Sequence, residues 1–169
     1  EDQRPVITQK VTEAVRQQVE TKVAAAVRQQ VTEEVTAAVQ QQVTATVTDT
    51  VQQQVAEQVI QAAANMSKAD YDAAVAAGII PQQTQDAVNA AIQAQMDSEA
   101  VQSKIAENVS AQMVSEAVQS KITENIDTQI SSEAVQATIT ENTDAQMQTE
   151  AIQATIQQQT ELQVQKAIS

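Results

Sequence analysis

Histidine, cysteine, phenylalanine and tryptophan are absent from this chain of 169 residues, which has one tyrosine, one glycine and two prolines. Each shortage excludes something. Without cysteine there are no disulfides or thiolate metal sites, and without histidine the commonest general base and metal ligand is gone. The large flat side chains that dominate globular cores and interfaces are missing. Gly78, Pro5 and Pro81 leave few places for sharp turns, whereas sandwiches, barrels and solenoids of strands need turn residues roughly every 8 to 12 positions. Long uninterrupted elements are expected.

Positive charge is scarce too. Nine lysines and arginines stand against 22 acids, a formal charge of −13, which opposes binding to nucleic-acid phosphates and to anionic membrane surfaces. No apolar run approaches the roughly 18 residues of a membrane span, so no membrane insertion is expected in this segment. The first residue is not methionine and nothing resembles a signal peptide, which reads as a processed or excised piece of a longer chain. An enzyme is not expected: a hydrolase built from Asp and Glu pairs needs a pocket that long elements do not make. No cofactor and no metal site is expected either, since no cluster of acids has the dense oxygen spacing of a calcium loop.

What is present is a beat. Valine occupies every fourth position through Val11, Val15, Val19, Val23, Val27, Val31, Val35, Val39, Val43, Val47, Val51, Val55 and Val59. A helix repeats every 3.6 residues and a strand every 2. A strand would carry a four-beat on one face, but its intermediate inward sites would be Gln, Glu, Asp or Ala. With Glu, Gln, Ala and Lys filling the gaps, helix is the better reading. On a straight helix each four-residue step advances about 400°, so the stripe drifts by roughly 40° per step in the right-handed sense. It returns to its starting face after about 36 residues, or roughly 54 Å. Either the helices form a steep right-handed rope, or the stripe wraps around each helix and meets different neighbours along its length.

Three segments follow. Residues 1–64 carry the valine beat. Residues 65–84 are a junction, in which Ser67 and Asp70 resemble a shortened capping box, Gly78 would close a short helix, Pro81 interrupts, and Thr84 would cap the next helix. Residues 85–169 carry a 17-residue repeat beginning at Ser98, Ser115, Ser132 and Thr149, preceded by a partial copy from Gln85 to Met96. Within each repeat the apolar sites lie four apart, and a step of five leads to the next copy. The seam extends through Val101, Ile105, Val118, Ile122, Ile126, Ile130, Val135, Ile139, Ile152 and Ile156.

Asn108, Asn125 and Asn142 recur at one repeat position as candidate polar layers that would fix register, against the plainer reading of a solvated face. Glu99, Glu116, Glu133 and Glu150 read as surface acids. Tyr71 is expected to cover a local core of Val75, Ile79 and Ile80, and Met96, Met113 and Met147 to fill gaps on the beat. Arg4, Lys10, Arg16, Lys22 and Arg28 come at intervals of six and read by default as solvated, with a charged seam against acids of a neighbour as the sharper option.

The fold class expected is all-α: long helices in a right-handed or irregular coiled-coil-like homo-oligomeric rod, interrupted by a short junction. The partner expected is the chain itself, as a parallel trimer or tetramer. The function expected is a structural stalk or spacer segment of a fibrous cell-surface or phage-fibre protein, extracellular or on the cell surface. The alternative is a reversible lipid-surface-binding amphipathic repeat protein, although the four-beat smears the moment that such a helix needs.

Overall fold

The computed structural model describes residues 3–168, and among these there are seven α-helices and no strand. α1 runs unbroken over Gln3–Ala64, 62 residues. α2 is the short Lys68–Ala76 helix. Five helices of similar length follow: α3 (Gln82–Asp97), α4 (Glu99–Met113), α5 (Glu116–Ser131), α6 (Glu133–Met147) and α7 (Glu150–Ile168).

α1 ends at Asn65, whose φ of 57° lies in the left-handed region that asparagine tolerates better than most residues. Its N–H donates back to the Gln61 carbonyl at 3.0 Å. α2 begins as the sequence suggests: Ser67 Oγ accepts from the Asp70 N–H at 3.2 Å. It closes on Gly78, at φ 77°. There the Gly78 N–H meets the Val75 carbonyl and the Ile79 N–H meets the Ala74 carbonyl, both at 3.0 Å. That pair of bonds is the Schellman closure, and it needs a residue free to take positive φ.

Thr84 is not the next cap. Pro81 holds that place, extended at φ −62° and ψ 147° with no side-chain capping bond, and Thr84 lies inside α3. A proline at this point supplies a fixed φ, but it lacks the N–H with which Ser98, Ser115, Ser132 and Thr149 each donate to the carbonyl three residues back. The partial copy is therefore a whole one. Pro81, Ser98, Ser115, Ser132 and Thr149 each precede a helix and recur at the period of the repeat, so there are five copies.

Packing groups the chain differently from the linear segments, into two units: residues 1–36 with 122–169, and residues 37–121. In each, a stretch of α1 lies against repeats distant in sequence. In the second unit, Val47, Val51 and Val55 share a buried cluster with Met96, Ile105 and Val109, with Val43, Val59, Ile92, Val101 and Met113 packed on it. A neighbouring cluster joins Ala56 and Ile60 to Tyr71 and Val88. Tyr71 does cover a local core with Val75 and Ile80 beside it, but Ile79 is not in it and stands 71% exposed, because it follows Gly78 as the outer residue of the turn.

Candidate functional site

The surface that the sequence specifies most strongly is the apolar seam. Every seam residue named from the beat is buried or half-buried within the single chain. Val11 to Val39, Val47, Val51, Val55, Ile105, Ile122, Ile126, Ile139 and Ile156 are buried. Val43, Val59, Val101, Val118, Ile130, Val135 and Ile152 are half-buried. The neighbour that the valine stripe calls for is supplied by the chain's own repeats.

The repeats contribute four seam sites each, their fourth, eighth, twelfth and sixteenth residues. The eighth (Val88, Ile105, Ile122, Ile139, Ile156) is buried in all five copies. The twelfth is Ile92, Val109 and Ile126, then Thr143 and Thr160. Both threonines are buried, and among the described residues neither hydroxyl has a hydrogen-bond partner. Reading only the β-branched apolar residues misses these two sites, although the four-beat passes through them. Val88, Ile92 and Val109 lie on the same beat, and Met96 and Met147 are buried as gap-fillers.

Asn108, Asn125 and Asn142 are exposed in the single chain and lie off its buried seam. Each is the eleventh residue of its repeat, one place before a seam site, and on a helix a step of one turns the side chain by about 100° away from the seam.

The arginines do form a charged seam, against the default reading. Arg4 pairs with Glu161 at 2.9 Å, Arg16 with Asp144, and Arg28 with Asp127 at 3.2 Å. The partners descend as the arginines ascend, so α1 runs antiparallel to the repeats in this unit. The arginines are spaced by 12 and the acids by 17, at the thirteenth residue of successive repeats. The ion pairs are solvent-exposed, at 45% to 61% of each side chain, and such pairs contribute roughly 0–1 kcal/mol. Their value is in marking register. Arg4 holds the Glu161 carboxyl below its ordinary range, first by hydrogen bonding to it and then by its charge.

Each repeat boundary is built the same way. The Ser or Thr at position one turns extended, as Ser98 does at φ −68° and ψ 151°, and its hydroxyl accepts from the N–H three residues on. The same hydroxyl donates to the carbonyl of Gln95, Gln112, Gln129 or Gln146 behind it, at 2.6 to 2.7 Å. The glutamine at position five then reaches back across the break. Gln102, Gln119, Gln136 and Gln153 donate to the carbonyls of Met96, Met113, Ile130 and Met147 at 2.7 to 2.8 Å. One hydroxyl and one amide thus satisfy groups that an interrupted helix leaves orphaned on both sides. The sequence carried this signal in the Ser or Thr that opens each copy and the Gln that follows one helical turn later.

Among the described residues no group of three or more acids is placed to hold a metal ion, and no helix is long and apolar enough to cross a membrane. No protein family, no curated protein and no solved structure matches the chain.

Proposed function

We propose that the chain is a structural spacer segment of a fibrous protein, of the cell-surface or phage-fibre kind, in which, within the unit of residues 1–36 with 122–169, the repeats follow the valine stripe of α1 in the right-handed sense. The observation that carries this reading is the 12-to-17 step of the ion pairs. Twelve residues of α1 advance about 18 Å and turn the valine stripe by about 120°. At a helix separation of about 9 Å, a neighbour following the stripe travels roughly 19 Å around α1 while it advances about 18 Å along it, a path of about 26 Å. Fifteen or sixteen residues of each inner repeat are helical, and a full repeat of seventeen at the helical rise would measure about 25.5 Å. The repeat length is close to the length of that path.

The breaks have the same origin. A path of about 9 Å radius and about 54 Å pitch curves with a radius of about 17 Å, whereas intact helices bend with radii of roughly 60–100 Å. A helix that follows the stripe must therefore be interrupted every fraction of a turn, and a capped, extended Ser or Thr once per third of a turn does this. Each added unit, one arginine step of α1 with one repeat, would extend the assembly by about 18 Å without altering the core, which is the property a spacer needs. The lipid-surface alternative needs apolar side chains free to meet the interface, and this chain covers them itself.

The test is to duplicate residues 17–28 together with residues 128–144, which lengthens the ladder by one Arg and one Asp. Small-angle scattering should give a radius of gyration well above the roughly 15 Å of a compact chain of this size, and higher again after the paired duplication, with melting unchanged or raised. Duplicating either part alone should lower the melting temperature. A radius near the compact value, or equal damage from paired and unpaired duplications, refutes the reading. A chain that is coil in buffer and helical only with vesicles would favour the lipid binder.

A further inference from the structure

Two asparagines of the chain stand in the order Asn-x-Ser that marks an acceptor for a sugar on the side-chain amide: Asn65-Met66-Ser67 and Asn108-Val109-Ser110. Asn125 and Asn142 occupy the same repeat position as Asn108, but Asp127 and Asp144 stand where the hydroxyl would be. Those acids are the partners of Arg28 and Arg16. The two signals are alike in sequence and unlike in setting.

Transfer joins the asparagine Nδ2 to the anomeric carbon of a sugar activated as a diphosphate ester. The diphosphate leaves with the bonding pair, and the amide proton passes to a base of the transferase. The enzyme must grip a few residues of extended or turn-like chain and read the hydroxyl two places on. Asn65, Met66 and Ser67 all lie outside the helices, between the end of α1 and the start of α2. Asn65 and Ser67 are exposed, with Met66 half-buried between them and packed on the cluster of Ala56, Ile60, Tyr71 and Val88. The core thus fixes the middle of the triplet and leaves both recognised side chains outside. Asn65 Oδ1 accepts from Gln61 Nε2 at 3.0 Å, so the amide is held by its oxygen, and its Nδ2 has no partner among the described residues. Ser67 Oγ accepts from the Asp70 N–H at 3.2 Å, which leaves its own proton to donate. Asn108, by contrast, lies within α4. It precedes Val109, which is buried with Val47, Val51 and Val55. Bending that triplet into an active site would unwind α4 and pull Val109 out of its cluster.

We propose that Asn65 is an N-glycosylation site of the folded chain and that Asn108 is silent. The inference rests on the cell-surface reading for its setting, since sugars of this kind are carried by exported chains. The probe is a soluble transferase specific for Asn-x-Ser or Asn-x-Thr, with a nucleotide-activated hexose, applied to the purified full chain; peptide mass spectrometry identifies the modified residue. The expected result is one hexose per chain, at Asn65. Asn65→Gly keeps a residue suited to positive φ, and Ser67→Asp keeps an N-cap. Both should retain their helicity by circular dichroism and lose modification at least tenfold, which separates the acceptor role from the structural one. Ser67→Thr keeps cap and hydroxyl and should still be modified, and Asn108→Gln should change nothing. No sugar at Asn65, equal modification of Asn108, or undiminished modification of Ser67→Asp overturns the proposal. Because the transferase acts on the folded chain outside any cell, failure here leaves the spacer reading standing, and a compact radius of gyration leaves the Asn65 site standing.

Discussion

Replacing Thr143 with valine should stabilise the chain. The side chain is fully buried, 0% exposed, and its hydroxyl finds no partner among the described residues. It sits at a repeat position that elsewhere holds Ile92, Val109 or Ile126. Valine has nearly the same shape, so the exchange replaces an unpaired hydroxyl with a methyl and leaves packing intact. Burying a hydroxyl without a bond costs about 1–3 kcal/mol by protein mutational data. For a chain of this size about 1 kcal/mol moves the melting temperature by roughly 2–4 °C, so Thr143→Val should raise it by several degrees. Thr160, 4% exposed and likewise unpaired, should give a similar gain. The two lie one repeat apart, and their effects should add to within about 0.5 kcal/mol. Thr140→Val at an exposed site is the control, expected within about 0.5 kcal/mol of zero. Thermal melts by circular dichroism read the single variants and the double. If Thr143→Val melts at or below the parent temperature, the hydroxyl is bonded in solution and the seam is not dry at that level.

At the repeat boundary, Ser132→Ala removes the bond to the Val135 N–H and should cost about 0.5–2 kcal/mol, read as a lower melting temperature. Gln119→Asp, which would be silent if the residue were merely off the beat, should instead lower the melting temperature, because it breaks the tie to the Met113 carbonyl. For Glu161 the sign is fixed by its depressed pKa: the interaction with Arg4 is present above the carboxyl's ordinary range and is lost as pH falls through the lowered value. Arg4→Gln should therefore move the Glu161 midpoint upward in an NMR titration, and no movement would show that the pair does not form in solution. Sedimentation at micromolar concentration should return the mass of one chain, 18.1 kDa, and a trimer or tetramer mass would mean that the valines are covered between chains.

Helix, seam and junction were legible because each rests on local chemistry: the beat from Val11 to Val59, the Ser67 cap and Gly78 all act within a few residues. What the beat could not specify is which chain supplies the neighbour. Burial demands a covering surface, and a second copy and a distant part of the same chain satisfy that demand equally well. The arginine ladder was hidden for a related reason. Even its nearest partner in sequence, Asp127 for Arg28, stands at a separation of 99, and the two sides step by different amounts, so no single period reveals them. Thr143 and Thr160 were passed over because a hydroxyl reads as polar, whereas the methyl and the β-branch place threonine on a seam nearly as well as valine.

One trace of the arrangement does lie in the sequence, in the inequality of the two periods. Between successive ion pairs α1 takes three seam steps, as from Val15 to Val27, while the repeats take four, as from Ile126 to Thr143. In a symmetric rope of like helices every strand follows the same path, so every strand must carry the same period. Two segments that cover the same length with three steps and with four cannot be equivalent strands. The one with more residues must take the longer route, and around a helix the longer route is the outer one. On the proposed reading, within the unit of residues 1–36 with 122–169, the unbroken segment is the axis and the repeats are the wrapping.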